Sequence, residues 1–266
     1  MTKRFEGRTI VVTGSGRERG LGQAILRRFA DEGANCVVSD QTITPEAEGV
    51  AADLSARGVK VATIPCDVSK VTQCQALVRK TVETFGRIDI LVNNAGIGFM
   101  MKPLLEVDPS DWDTVISVNL SGAFYCTQAA ARAMVEGNNG GRIINIASQA
   151  AKTGFPHMAS YCSSKHGMIG LTRSNAVELG THGITVNAVC PNHVTTGLGS
   201  DQNEYFSRLL GFDSVAAYLK NMAAKNPMGR PGLGSDTAAT CAWLASDDAA
   251  YITGEAINVS GGEEMH

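Results

Sequence analysis

Runs of branched apolar residues recur along this chain, separated by longer segments in which apolar positions come every three or four residues. The short runs fall at 9–13, 35–40, 59–67, 88–93, 142–148, 185–190 and 256–260 and predict strands. The longer segments, 21–33, 45–57, 70–85, 109–136, 159–180 and 234–246, have helical length and period. The strands are apolar on both faces, the pattern of a parallel sheet covered by helices on each side. Repeated β-α units make a right-handed doubly wound α/β sheet of about seven strands the economical topology. Such sheets hold ligands beyond the carboxyl ends of their strands, so chemistry is expected just after each run. The stretch 195–228 breaks the rhythm. It is long, polar and aromatic, with a helical piece near 215–224, and a connection of that length predicts a substrate-binding lid.

Composition narrows the class. The 266 residues are expected to form one domain, 1–266, around one extended core. No apolar run approaches the roughly 20 residues a bilayer crossing needs, so no membrane partner is expected. The first residues reach a strand without an apolar leader, which favours the cytoplasm. A net charge of −3 with both signs interspersed gives no broad basic surface, and nucleic acid drops out as a partner. The seven cysteines form no CxxC pair and read as small buried thiols; no metal-ligand spacing appears among them or the five histidines.

The first run leads into Thr13-Gly-Ser-Gly-Arg-Glu-Arg-Gly-Leu-Gly22, immediately before the first helical segment. Glycines there let the backbone approach a pyrophosphate, whose charge is favoured by the N–H groups at the helix start. Gly14, Gly16, Arg19, Gly20, Leu21 and Gly22 are the candidates, with the choice between Gly14 and Gly16 left open. Asp40 ends the second run, where a carboxylate accepts hydrogen bonds from the adenosine ribose and repels a 2′-phosphate. NAD is therefore the expected cofactor, although Arg19 offers a cation to a 2′-phosphate.

Tyr161 and Lys165 stand at i and i+4 on one helical face, and the ammonium is expected to lower the phenol's pKa toward that of a working base. Ser148 ends the fifth run 13 residues earlier, across the same cleft. Alone, Ser148 reads equally well as a turn or helix cap.

With these residues in this order, the chain resembles the short-chain dehydrogenase/reductase family, of the one-domain Rossmann-like type with a Tyr-x-x-x-Lys motif. The likeness covers nearly the whole length: the glycine turn, Asp67-Val68, Asn93-Asn-Ala-Gly96, Asn119, Ser148, Tyr161, Lys165, Pro191 and Thr253-Gly254. It implies that Tyr161 is the acid/base, that Ser148 holds the substrate oxygen, and that Lys165 binds the nicotinamide ribose. It also implies that Asn119 helps hold a proton-relay water. By the same resemblance Asp67 and Val68 flank the adenine, Asn94, Ala95 and Gly96 line the cofactor groove, Pro191, Val194 and Thr196 adjoin the nicotinamide, and the molecule is a homotetramer. Two departures stand out. Thr13-Gly14 lies two residues too far from Gly20-x-Gly22, and Pro191-Asn192-His193 replaces the family's common Pro-Gly.

The sequence thus predicts reversible hydride transfer between a secondary alcohol and NAD. Gln149, His157, Asn192 and His193 join Ser148 and Tyr161 as expected substrate contacts, and their polarity favours a polyol or sugar-like small molecule. The alternatives are an NADPH-linked 3-oxoacyl or ketone reductase, and a nucleotide-binding scaffold without catalysis.

Overall fold

The structure, a computed structural model, describes residues 3–98, 100–192, 194 and 197–265. Its strands are β1 Thr9–Thr13, β2 Asn35–Ser39, β3 Val61–Thr63, β4 Ile90–Asn93, β5 Gly141–Ile146, β6 Ile184–Pro191 and β7 Ala256–Val259. They form one sheet of order β3-β2-β1-β4-β5-β6-β7 with every pairing parallel. The helices are α1 Leu21–Asp31, α2 Pro45–Ser55, α3 Val71–Phe85, α4 Pro109–Ile116, α5 Gly122–Glu136, α6 Ala159–Leu179, α7 Gly197–Leu209, α8 Val215–Lys225 and α9 Gly234–Ala245. Strand order reverses between β1 and β4, and a parallel sheet opens a crevice at such a point.

Alternate residues of each central strand serve opposite faces. Ile10 and Val12 of β1 pack with Ile25, Leu26 and Phe29 of α1 and Cys241 of α9, while Val11 between them packs with Leu77 of α3 and Met134 of α5. Both clusters are built from buried apolar residues, which explains why the runs are apolar throughout rather than alternating. Six of the seven cysteines are buried, Cys162 partly, and all seven are free. No helix of the described residues is long and apolar enough to cross a membrane.

Some expected boundaries shift for local reasons. The third strand is short because Pro65 removes a donor, although Ile64 and Cys66 still bond β2 and the residue after it through Val38 and Asp40. The fifth strand stops at Ile146, and Ser148 caps a short 3₁₀ turn, Gln149–Ala151. The helical run 109–136 is interrupted by a π-turn, Ser117–Ser121, that carries Asn119. The 195–228 stretch holds two helices, α7 and α8, rather than one; the glycine- and serine-rich start of α7 hides it from propensity.

Candidate active site

At the carboxyl ends of β1, β4, β5 and β6 lies a cavity of about 550 Å³, within the range of small-molecule sites. One end is the glycine turn. Gly14 has φ +64°, and a Cβ there would lie 2.7 Å from Ala95 Cα, so only glycine lets β1 and the Asn94–Gly96 wall meet. Asn94 closes that junction: its Nδ2 donates to the Thr13 and Gly14 carbonyls at 2.8 and 2.9 Å. Gly14, Gly20 and Leu21 line the cavity; Gly16, Arg19 and Gly22 do not. Gly16 spends its N–H on Asp40 Oδ2 at 3.0 Å, and Gly22 backs onto Asn94. The inserted Ser15 is buried and bridges the ends of β1 and β2, donating to Val12 O and accepting from Ser39 N. The two extra residues therefore brace the turn from behind, and the place expected of Arg19 on the cavity wall is held by Arg17.

Asp40, Gln41, Cys66, Asp67 and Val68 form the outer wall at this end. α1 starts with no side-chain cap and no acidic residue in its first turn, which leaves its N–H groups open to an anion beside Gly20. An open helix start, a glycine-lined approach and a ribose-height carboxylate fit a dinucleotide.

The other end is the chemical one. α6 presents Tyr161 and Lys165 to the cavity, both buried, and Ser148 faces the same cavity from the β5 side. Ser148 also accepts from Ala150 N at 3.1 Å, so it is both a cap and a cavity group. Lys165 Nζ donates to Ile146 O at 2.7 Å and sits 5.6 Å from the Tyr161 ring centroid. The expected lowering of the phenol pKa is reversed here: burial pushes Tyr161 up to about 12, with the Ser148 hydroxyl pulling the other way. Burial likewise pushes Lys165 down to about 8. Desolvation wins because Lys165 is aimed at a carbonyl and not at the phenol oxygen.

Asn119 does not line the cavity. Its amide nitrogen donates to Ile97 O and Ser164 Oγ at 2.9 and 3.1 Å, and its Oδ1 accepts from Ile97 N at 2.8 Å. It ties the β4 loop to α6, and both amide N–H groups are taken, leaving neither for a relay water. His157 also turns away from the cavity: φ is +63°, and its Nδ1 pairs with Tyr205 Oη at 2.7 Å. Gly96, Gln149, Pro191, Asn192 and Val194 stand on the wall as expected, and Ala95 beside them; His193 and Thr196 lie outside the described residues. Phe155 and Phe206 supply aromatic walls of the kind the sequence suggests for a sugar or polyol face, while Tyr205 beside them stays off the wall; Met158, Gln202 and Tyr218, which sequence reasoning did not place there, complete it.

Comparison with known proteins agrees with this arrangement. A family model described as Enoyl-(Acyl carrier protein) reductase matches residues 14–264. The 3-oxoacyl-[acyl-carrier-protein] reductase FabG of Staphylococcus aureus (strain Mu50 / ATCC 700699) is 38% identical over 252 residues, covering 94% of this chain and 96% of that protein. The crystal structure of NAD+-bound xylitol dehydrogenase superposes with a TM-score of 0.92 at 31% identity, covering 98% of this chain and 100% of the other. A gluconate 5-dehydrogenase from Burkholderia cenocepacia J2315, in complex with NADP and tartrate, gives 0.87 at 32% identity over 98% and 97%. Sheet order, the Ser148–Tyr161–Lys165 cluster and these likenesses converge: the chain belongs to the short-chain dehydrogenase/reductase family, oxidoreductases that act on hydroxyl and keto groups with a nicotinamide cofactor.

Proposed function

We propose that the protein is an NAD-dependent dehydrogenase of a small polyhydroxylated secondary alcohol, working reversibly on the corresponding ketone. The observation that carries the cofactor choice is Asp40. Its carboxylate lines the cavity at the end of β2 and is held by the Gly16 and Gln41 N–H groups at 3.0 and 2.9 Å, so a 2′-phosphate would meet a fixed negative charge. Tyr161 takes the hydroxyl proton in oxidation and returns it in reduction, while Ser148 holds the substrate oxygen beside it. Lys165 serves the cofactor ribose, and Asn119 acts as a positioning residue for the β4 loop and α6. A bound nicotinamide supplies the hydride acceptor or donor. Gln149, Asn192, Gln202 and Asn203 give the substrate end polar groups, and Phe155, Met158 and Phe206 give it an apolar wall, a mixture suited to a polyol carbon face. The molecule is one domain, with 195–228 as its lid, and works in the cytoplasm as a homotetramer.

A second reading has support of its own. Arg17 on the cavity wall can meet a 2′-phosphate, which favours NADPH, and the FabG likeness points to reduction of 3-oxoacyl groups. A panel of polyols, sugars, hydroxy acids and 3-oxoacyl thioesters, each with both cofactors, separates the two. Polyol oxidation with NAD at higher kcat/KM supports the first reading; thioester reduction with NADPH as the dominant activity overturns it.

A further inference from the structure

A tight turn, Ser260-Gly-Gly-Glu-Glu264, follows β7 directly. Gly261 and Gly262 have φ of +63° and +90°, and a Cβ on Gly261 would lie 2.5 Å from Asn226 Oδ1. Asn226 pins the turn through its Nδ2, which donates to Ser260 O at 2.8 Å, and the Ser260 hydroxyl donates to Glu264 O at 3.0 Å. Glu264 accepts from the hydroxyl of Thr153, beyond the Ser148 cap. So much local constraint turns the chain back toward the cavity and delivers one carboxylate: Glu263 Oε2 accepts from Asn192 Nδ2 at 2.5 Å.

Asn192 is 5% exposed, lines the cavity just past β6, and occupies the place where the family commonly has glycine. A carboxylate beside an amide settles its orientation, since only the nitrogen can donate. Held that way, Asn192 has an Oδ1 that no donor among the described residues reaches, the acceptor it can offer a ligand. The charge is felt on the cavity wall too. Tyr218, which lines the cavity, has its phenol pushed up first by burial and then by Glu263. Among the described lining residues the only basic side chains are Lys165, committed to Ile146 O, and Arg17 at the far end.

We infer that Glu263 is a specificity-determining positioning residue: by fixing Asn192 with its oxygen toward the cavity and adding negative charge behind it, it selects neutral substrates bearing a hydroxyl donor and rejects carboxylates. The inference rests on the secondary-alcohol reading above and narrows its substrate class.

The test uses the full-length enzyme with a pentitol and its corresponding aldonic acid, or with whichever secondary alcohol the unmutated protein oxidises, paired with its carboxylate form. Glu263→Ala should raise KM for the neutral substrate about tenfold with kcat within about twofold, the effect of losing one well-placed hydrogen bond. Glu263→Gln retains an oxygen that accepts from Asn192, so it should restore the neutral KM. It should also improve kcat/KM for the carboxylate form about tenfold by removing the charge. Dissociation of NADH should be unchanged in both. Equal loss with both substrates in both variants, with an unaltered neutral-to-carboxylate ratio, would make Glu263 merely structural and overturn the inference. Absence of polyol turnover in the unmutated enzyme, with another alcohol oxidised, would instead overturn the proposed substrate class while the Glu263 comparison still runs.

Discussion

The chemistry is concentrated in a few side chains whose environments set their proton affinities. Tyr161→Phe keeps the ring's packing but loses the proton, so turnover should fall about a thousandfold while NADH still binds, as read by steady-state rates and fluorescence titration. Lys165 gives a stability signature. With its pKa lowered by burial from 10.5 to about 8, the folded protein binds fewer protons than the unfolded chain between those values. Stability gained from this group therefore rises with pH across that window, by about 3 kcal/mol. Lys165→Met lacks the dependence, so its stability relative to the unmutated protein should decline steadily from pH 8 to 10.5; a constant difference in unfolding free energy would contradict the burial argument. At the cofactor end, Asp40→Ala should narrow the preference for NAD over NADP about tenfold in kcat/KM. Tyr161 and Lys165 stood out by their i, i+4 spacing and Ser148 by its place at the end of the fifth run, while their roles came from the family resemblance. The phenol's raised pKa was not legible, because spacing shows that a cation is near but not that it is buried and aimed elsewhere.

Among elements, the continuous apolar runs located the seven strands of the sheet to within a few residues, since burial on both faces is written directly into composition. What stayed hidden were features set by single backbone geometries: the π-turn around Asn119, the Ser15 brace, and α7. The glycine turn depends on Gly14, whose positive φ and backbone contact with Ala95 leave no room for a methyl group. Gly14→Ala should cost about 3 kcal/mol or more, lowering Tm by roughly 5–10 °C, measurable by calorimetry, whereas Arg19→Ala should leave Tm unchanged. The segment proposed as a lid is tied down by smaller contacts. Tyr205 of α7 reaches His157 at 2.7 Å, and Gln202 reaches Gly98 O at 3.3 Å. Tyr205→Phe should raise substrate KM several-fold with kcat and NADH affinity little changed, because the closed lid is less populated.

For the whole molecule, sheet order matters more than any motif. The reversal between β1 and β4 opens the crevice, and parallel pairing brings the ends of β1, β2, β4, β5 and β6 to one edge. That is why residues as far apart as Gly14, Asp40, Asn94, Ser148, Tyr161 and Asn192 share one cavity. The topology was readable from the β-α rhythm; the contribution of the turn after β7 was not, since nothing in Gly261-Gly262-Glu263 signals where that turn will return. In the proposed reaction Tyr161 drives direct hydride exchange between a secondary carbinol and the nicotinamide. The most direct measurement is oxidation of a polyol deuterated at the reacting carbon, with mass analysis of the reduced cofactor. Deuterium in the NADH from the unmutated enzyme, and about a thousandfold less of that product from Tyr161→Phe, is the predicted result. Reduced cofactor without deuterium, or a Tyr161→Phe variant that keeps most of its rate, would contradict it.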